Sequence, residues 1–291
     1  MHKPAMTDPS AAPEIFDRRL RRIRRDRAAP GFADHDFLLR HMTDEIVARL
    51  GAVKRDFTCA LDLGCHDGAL VRQLRAMGIA CVGADAGYRF AHAGGSVQCD
   101  EDRLPFADGS FDLVVSVGVL DTVNDLPGAL SLIRRALRPD GLFLGAFVGA
   151  GSLPRLRAAM MAGDGDRVSP RIHPQIDVRS GGDLLQRAGF ALPVADGERL
   201  DVRYGALPIL AADLRGAGAG NMLSGARRPL SRDQLARAMN AFQDETAPDG
   251  KVSERIEIVY LTGWAPSPDQ PKPARRGSAT ASLAAALKPR P

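Results

Sequence analysis

The run Ala60-Leu61-Asp62-Leu63-Gly64-Cys65-His66-Asp67-Gly68 places a carboxylate near the end of an apolar stretch and follows it with two glycines four residues apart. Small residues at such a turn let backbone N–H groups approach a ligand closely, and a helix starting after it adds a positive dipole. Asp85 ends a second apolar run, 17 residues after Gly68. That spacing suits a carboxylate accepting hydrogen bonds from ribose hydroxyls. A glycine turn alone serves tight packing equally well. The turn, Asp85 and an alternation of strands and helices together point to nucleotide-like binding.

Those residues need elements to position them. Cys59, Ala60, Leu61, Asp62 and Leu63 read as a buried strand, with a helix over residues 69–77 and a second strand over 80–84. Residues 97–99 form a short third strand. Residues 111–117 are near-continuously apolar, as in a strand covered on both faces. A helix over 127–137 has Pro127 in its first turn, Pro139-Asp140-Gly141 make a turn, and 142–148 is a fifth strand. Upstream, Phe16, Leu20 and Ile23 recur at helical spacing with arginine on the remaining faces, and a further helix covers 36–50. Downstream, helices are expected at 183–188 and 207–215, and from the capping pair Ser231 and Gln234 to Asp244, with a late strand over 255–264. Such alternation argues for a parallel, doubly wound α/β sheet.

At this point the chain resembles the class I S-adenosylmethionine-dependent methyltransferases, from about residue 59 to 148. Their first motif is a strand followed by Asp-x-Gly-x-Gly-x-Gly. Asp62, Gly64 and Gly68 match it, and His66 stands at the middle glycine. Asp100, Leu104, Pro105 and Phe106 match a motif in which the resemblance has Asp100 accept from the adenine amino group and the Glu101 backbone face the ring. Phe111-Asp112-Leu113-Val114-Val115-Ser116 matches the fourth strand; beyond it, Asp121 and Thr122 replace the usual His-Trp. The resemblance implies S-adenosyl-L-methionine as cofactor, held by Asp62, Gly64, Cys65, His66, Gly68, Asp85, Asp100, Glu101 and Ser116. It implies a Rossmann-like, seven-stranded doubly wound sheet with an N-terminal helical extension and C-terminal helical insertions. His66 either narrows the methionine end of the pocket or points its imidazole to solvent.

Outside the core, residues 16–27, 169–190, 207–221 and the tail 273–280 resemble the family of the respiratory complex I assembly factor with a methyltransferase fold, described as an arginine hydroxylase, and its bacterial relatives. That implies a protein acceptor, the quinone-proximal iron–sulfur subunit of complex I. The carrier-protein O-methyltransferases of biotin synthesis share the core and Leu214-Arg215-Gly216 but lack the tail. A non-catalytic assembly module with a degenerate pocket is the competing class.

A methyl sulfonium is already activated, so methyl transfer asks mainly for positioning and exclusion of water. Asp121 is the weak catalytic candidate, as a general base or a satisfied loop carboxylate. No metal site is expected: His66, His92 and His173 are scattered, and no histidine has an acidic residue two positions later, as a facial triad would. Nucleic acid is not an expected partner, since aromatics are 5% of the chain and do not interleave with basic residues.

The net charge is +4, and of 39 basic residues 34 are arginine. Seven arginines fall between positions 18 and 27. They read as the solvated face of a lid helix or as a dock for an acidic partner. The longest apolar runs stop well short of the about 20 residues a membrane span needs, which leaves peripheral membrane contact open. No secretory signal is apparent. Cys59, Cys65, Cys81 and Cys99 lack CxxC spacing, which suits a reducing, cytoplasmic compartment, or the mitochondrial matrix in a eukaryote. The expected organisation is a disordered 1–14, a helical extension 15–58, the cofactor core 59–148, acceptor-side helices and final strands 149–265, and a Pro/Ala/Arg-rich tail 266–291.

Overall fold

The computed structural model describes residues 14–270 except 168 and 245. The expectations for residues 1–13 and for the tail at 273–280 lie outside the described residues. Seven strands form one sheet: β1 Cys59–Leu63, β2 Ala80–Asp85, β3 Val97–Gln98, β4 Phe111–Val117, β5 Leu137–Val148, β6 Ala191–Tyr204 and β7 Val252–Trp264. Their order is β3-β2-β1-β4-β5-β7-β6. β1 to β5 pair in parallel, and β7 runs antiparallel between β5 and β6. The strand order reverses between β1 and β4, so the carboxyl ends of these two strands open the crevice in which such sheets bind ligands.

The helices are α1 Arg18–Ala28, α2 Phe37–Ala52, α3 Ala69–Ala76, α4 Tyr88–Ala93, α5 Leu126–Ala136, α6 Pro154–Asp164, α7 Val178–Arg187, α8 Leu207–Gly216 and α9 Arg232–Gln243. On one face of the sheet, Met42, Ile46 and Leu50 of α2 and Leu70, Val71 and Leu74 of α3 pack on Leu113, Val115 and Leu144. On the other face, Leu130 and Ile133 of α5 and Leu185 of α7 pack on Leu61, Val114 and Phe143. Every residue of β4 is buried, as its apolar run requires. Fully burying one such aliphatic side chain stabilises the fold by about 1.5–3 kcal/mol.

A third cluster joins α6, α8 and α9 through Leu156, Leu210, Ala238 and Phe242. α6 and α9 cross closely because Gly163 has no side chain: a Cβ there would lie 2.9 Å from the Gln234 carbonyl oxygen. The first turn of α6 is capped from afar, since the buried Glu254 accepts from the N–H groups of Arg155 and Leu156 at 3.1 and 2.7 Å.

Three local expectations change. The turn expected at 139–141 is an irregularity inside β5: the pairing register shifts between Phe111 and Leu113, and Asp140 takes a φ of 62°. β6 is a fourteen-residue edge strand whose outward Asp, Glu and Arg residues and internal Pro193 and Gly197 hide it from any apolar alternation. The third change is at α1. Its apolar residues do not face the core, for Ile23 is 36% exposed, while the buried positions are Arg21, Arg25 and Ala28. Phe16 is buried, but ahead of the helix, in a bridge to Leu223.

Candidate active site at the carboxyl ends of β1, β2 and β4

The turn after β1 bends through left-handed backbone at Gly64 (φ 87°), His66 (φ 48°) and Gly68 (φ 76°). Gly64 is obligatory for a second reason, since a Cβ would come 2.5 Å from the Val119 side chain. The amides of this turn are spent within the protein. Gly64 and Cys65 both donate to the Ala84 carbonyl, Gly68 to that of Cys65, and His66 to the Asp85 carboxylate at 3.1 Å. The expectation of amides open to a ligand is therefore not met at these four positions.

His66 is neither solvent-facing nor inert. Its ring is buried between Phe32 and Phe90, at centroid distances of 5.1 and 5.7 Å, with Nδ1 bonded to the Gly64 carbonyl oxygen. Burial, aided by the nearby Arg25 charge, pushes its pKa down to about 3, so the ring is neutral. Ser116 is likewise committed elsewhere: its buried hydroxyl donates to the Leu63 carbonyl at 2.8 Å and ties β4 to β1. Cys65 is a buried free thiol, pushed up to about 12 by burial.

Asp85 is fully buried and accepts four donors. Arg25 provides two, Nε at 2.8 Å and the closer Nη2, and the N–H groups of His66 and Gly87 provide the others. Burial raises its pKa, but Arg25, aided by His66 and the Gly87 N–H, holds the carboxyl below its usual range. The remaining carboxylates are gripped in the same way. Arg21 takes Glu101 with two bonds of 2.7 and 2.8 Å, Arg22 takes Asp100 at 2.6 Å, and Arg18 takes Asp102 at 2.6 and 2.7 Å. Asp100 and Asp102 are thus held by arginines, and the arginine helix does not present this face to solvent. The Glu101 side chain turns inward to Arg21, where Thr122 Oγ1 also accepts from Arg21 Nε at 3.1 Å.

The four arginines were missed as site residues, although 18, 21, 22 and 25 share one helical face by spacing alone. The signal was present but competed with the Phe16, Leu20 and Ile23 stripe. Phe32 and Phe90 carried no sequence signal.

Asp62 is different. It is 2% exposed, and its Oδ2 has no hydrogen-bond partner among the described residues. Burial, with Asp85 nearby, raises its pKa to about 8. It lines a cavity of about 230 Å³ together with Gly64, His66, Asp67, Asp36 and Gln73. A second cavity, about 180 Å³, lies beyond Gly118. Arg21, Arg25, Asp121 and Thr122 form one wall, and Leu153, His173, Tyr204 and Leu210 stand among its other lining residues. Asp121 is half-buried there, and burial lifts its pKa to about 6. His173 accepts from the Met222 N–H at 2.9 Å, and burial lowers its pKa to about 4, as befits a loop residue held neutral. Among the described residues no three His, Cys, Asp or Glu side chains come together as metal ligands.

S-adenosylmethionine fits the residue types of this crevice. The orphan acceptor on Asp62 suits the cofactor's ammonium group, and a carboxylate stands at the end of β2 for the ribose. Asp62 would hold the amino acid end and Asp85 the ribose. The acceptor oxygens that Asp85 and Asp100 would offer are meanwhile occupied by arginines of α1.

Comparison with known proteins agrees with this architecture. The family described as "Methyltransferase domain" matches residues 61–145. The chain is 36% identical over 283 residues to the human "Arginine-hydroxylase NDUFAF5, mitochondrial", covering 92% of this chain and 82% of that protein. It is 32% identical to the Danio rerio protein of the same name, covering 93% and 88%. A malonyl-[acyl-carrier protein] O-methyltransferase from Methylovorus is 32% identical, covering 84% and 88%. Among solved structures, the YcgJ protein of Bacillus subtilis superposes with a TM-score of 0.54 at 15% identity, over 78% of this chain and 99% of that one, a likeness of fold. Sheet order, glycine turn and similarity over most of both chains converge: the chain belongs to the class I S-adenosylmethionine-dependent methyltransferases, in the family of the NDUFAF5 arginine-hydroxylases.

Proposed function

We propose that this chain is an S-adenosylmethionine-using enzyme that modifies a protein acceptor during respiratory complex I assembly, the quinone-proximal iron–sulfur subunit being the acceptor of choice. One observation carries the reading: the cavity lined by Asp62, Gly64 and Val117 and the cavity lined by Gly118, Asp121 and Arg25 meet the chain at consecutive residues, 117 and 118, at the carboxyl end of β4. When bound, S-adenosylmethionine supplies a methyl group on a sulfonium, a leaving group that needs no further activation. The chain's own task is then placement. Asp85 accepts from the ribose hydroxyls, Asp62 from the ammonium, and the apolar wall of Leu153, Leu156 and Leu210 excludes water around the acceptor. Asp121, with its pKa near 6, is ionised at neutral pH and available to take a proton or hold a cationic side chain.

A second reading, arginine hydroxylation, is favoured by the name of the relatives at 32–36% identity. Similarity to the malonyl-carrier-protein enzymes makes the carrier-protein O-methyltransferase a third, weaker alternative. We place the protein in the cytoplasm, or in the mitochondrial matrix of a eukaryote; the relatives' names say mitochondrial. Among the described residues no helix is long and apolar enough to cross a membrane. Calorimetric titration with S-adenosylmethionine tests the reading: binding to the parent chain that weakens at least tenfold in Asp85→Ala supports it, and no heat of binding at millimolar ligand overturns it.

A further inference from the structure

Four arginines on one face of α1 meet four carboxylates: Arg18 with Asp102, Arg21 with Glu101, Arg22 with Asp100 and Arg25 with Asp85, while Arg18 also reaches Glu14 and, at 3.5 Å, Asp100. Two of these carboxylates, Asp85 and Asp100, are expected to serve the cofactor's nucleoside, and Glu101 stands beside them with its backbone expected at the adenine ring. All three are at most 3% exposed. The helix therefore stands where the nucleoside must bind.

How α1 is held supports an exchangeable contact. Its ends are tied by backbone and by apolar packing. Asp17 donates to the Met222 carbonyl and Ser224 to that of Ile15, and the Phe16 backbone exchanges two bonds with Asn124. At the other end a 3₁₀ turn over Ala29–Asp34 packs Phe32 against His66 and Phe90. Between the ends, the face turned to the core buries Arg21, Arg25 and Ala28, so most of its grip is ionic. A ligand offering hydroxyl and amino donors to the same oxygens can replace guanidinium donors bond for bond, whereas it could not replace a leucine face. Gly87 makes the seat: its φ of −76° suits any residue, yet a Cβ there would lie 2.9 Å from Arg25 Cβ.

Resting on the cofactor reading above, we propose that α1 is a cationic stopper on the nucleoside site, and that S-adenosylmethionine binds by taking Asp85 and Asp100 from Arg25 and Arg22. The apparent affinity is then the intrinsic affinity multiplied by the fraction of molecules with α1 released. Weakening the grip raises that fraction.

The test uses the full chain. S-adenosylmethionine is titrated into the parent, Arg25→Gln and Arg22→Gln, and amide hydrogen exchange over residues 18–28 is followed in the parent with and without saturating cofactor. The expected results are binding at least tenfold tighter in Arg25→Gln, a smaller gain in Arg22→Gln, and faster exchange across α1 on cofactor addition. Equal or weaker binding in Arg25→Gln with unchanged protection of α1 overturns the stopper while leaving the cofactor reading intact. Absence of binding in all three proteins overturns both. Should Arg25→Gln not fold, the exchange measurement on the parent decides alone: acceleration supports the stopper, and unchanged or slower exchange in a protein that binds the cofactor contradicts it.

Discussion

Arg25 grips Asp85 with two guanidinium nitrogens in a site where the carboxylate is fully buried and the arginine nearly so. The same carboxylate anchors the His66 and Gly87 amides, so one side chain links α1, the glycine turn and the end of β2. Removing one member of a buried pair leaves the other charge uncompensated, which costs about 3–5 kcal/mol. Asp85→Asn is therefore expected to destabilise the fold by that amount in urea denaturation. A loss below about 1 kcal/mol contradicts the pairing, since that is the worth of a surface salt bridge.

Asp62 gives a pH signature of the opposite sense. Its folded pKa, near 8, lies above the unfolded value of 3.8, so between those limits the folded state holds the extra proton. Stability contributed by the protonated carboxyl is complete below the unfolded pKa and falls as pH rises through that window. Asp62→Asn, which mimics the neutral form, is expected to flatten the fall and to be more stable than the parent at pH 8. Equal slopes of stability against pH in the two proteins refute this.

His66 sits at a left-handed φ of 48°, which glycine adopts freely. Its ring fills the space between Phe32 and Phe90. Losing a buried ring costs more than the roughly 1 kcal/mol of relieved backbone strain. His66→Gly is expected to lower stability by about 2 kcal/mol, measurable as a lower denaturation midpoint at unchanged slope. A more stable variant shows that strain dominates.

Much of the nucleotide half was legible because its signals are local. The limits of β1 and β4 follow from apolar runs, and Ser231 with Gln234 forms the capping box that their spacing announced. Asp62, Gly64 and Asp85 fall at the crevice for the same reason. Tertiary partnership was not legible. Nothing in the chain before residue 30 tells that arginines 18, 21, 22 and 25 meet acidic residues about 60 to 84 positions away, and propensity favours the apolar stripe. The polar, interrupted edge strand β6 became a strand only by pairing with β7 along its length. The ring of His66 is buried through Phe32 and Phe90, which are distant in sequence and unmarked by motif.

Asp121 carries the chemistry prediction. With a pKa near 6, it is protonated in mild acid and ionised at neutrality. Activity on the protein acceptor is expected to rise through about pH 6, and Asp121→Asn to lose that rise along with a factor of about 100 in turnover, at the low end for a general base. Cofactor affinity should stay within about twofold, since Asp121 lines the acceptor cavity. A parallel loss of cofactor binding places Asp121 in the cofactor site instead.

In the proposed function the chain covalently modifies a protein acceptor of complex I. The most direct measurement is mass spectrometry of the quinone-proximal iron–sulfur subunit from cells with the chain, without it, and with Asp85→Ala in its place. A residue of that subunit is expected to bear one added methyl group, or one added oxygen on arginine under the second reading, only where the intact chain is present. Identical subunit masses in all three cell lines would contradict that function.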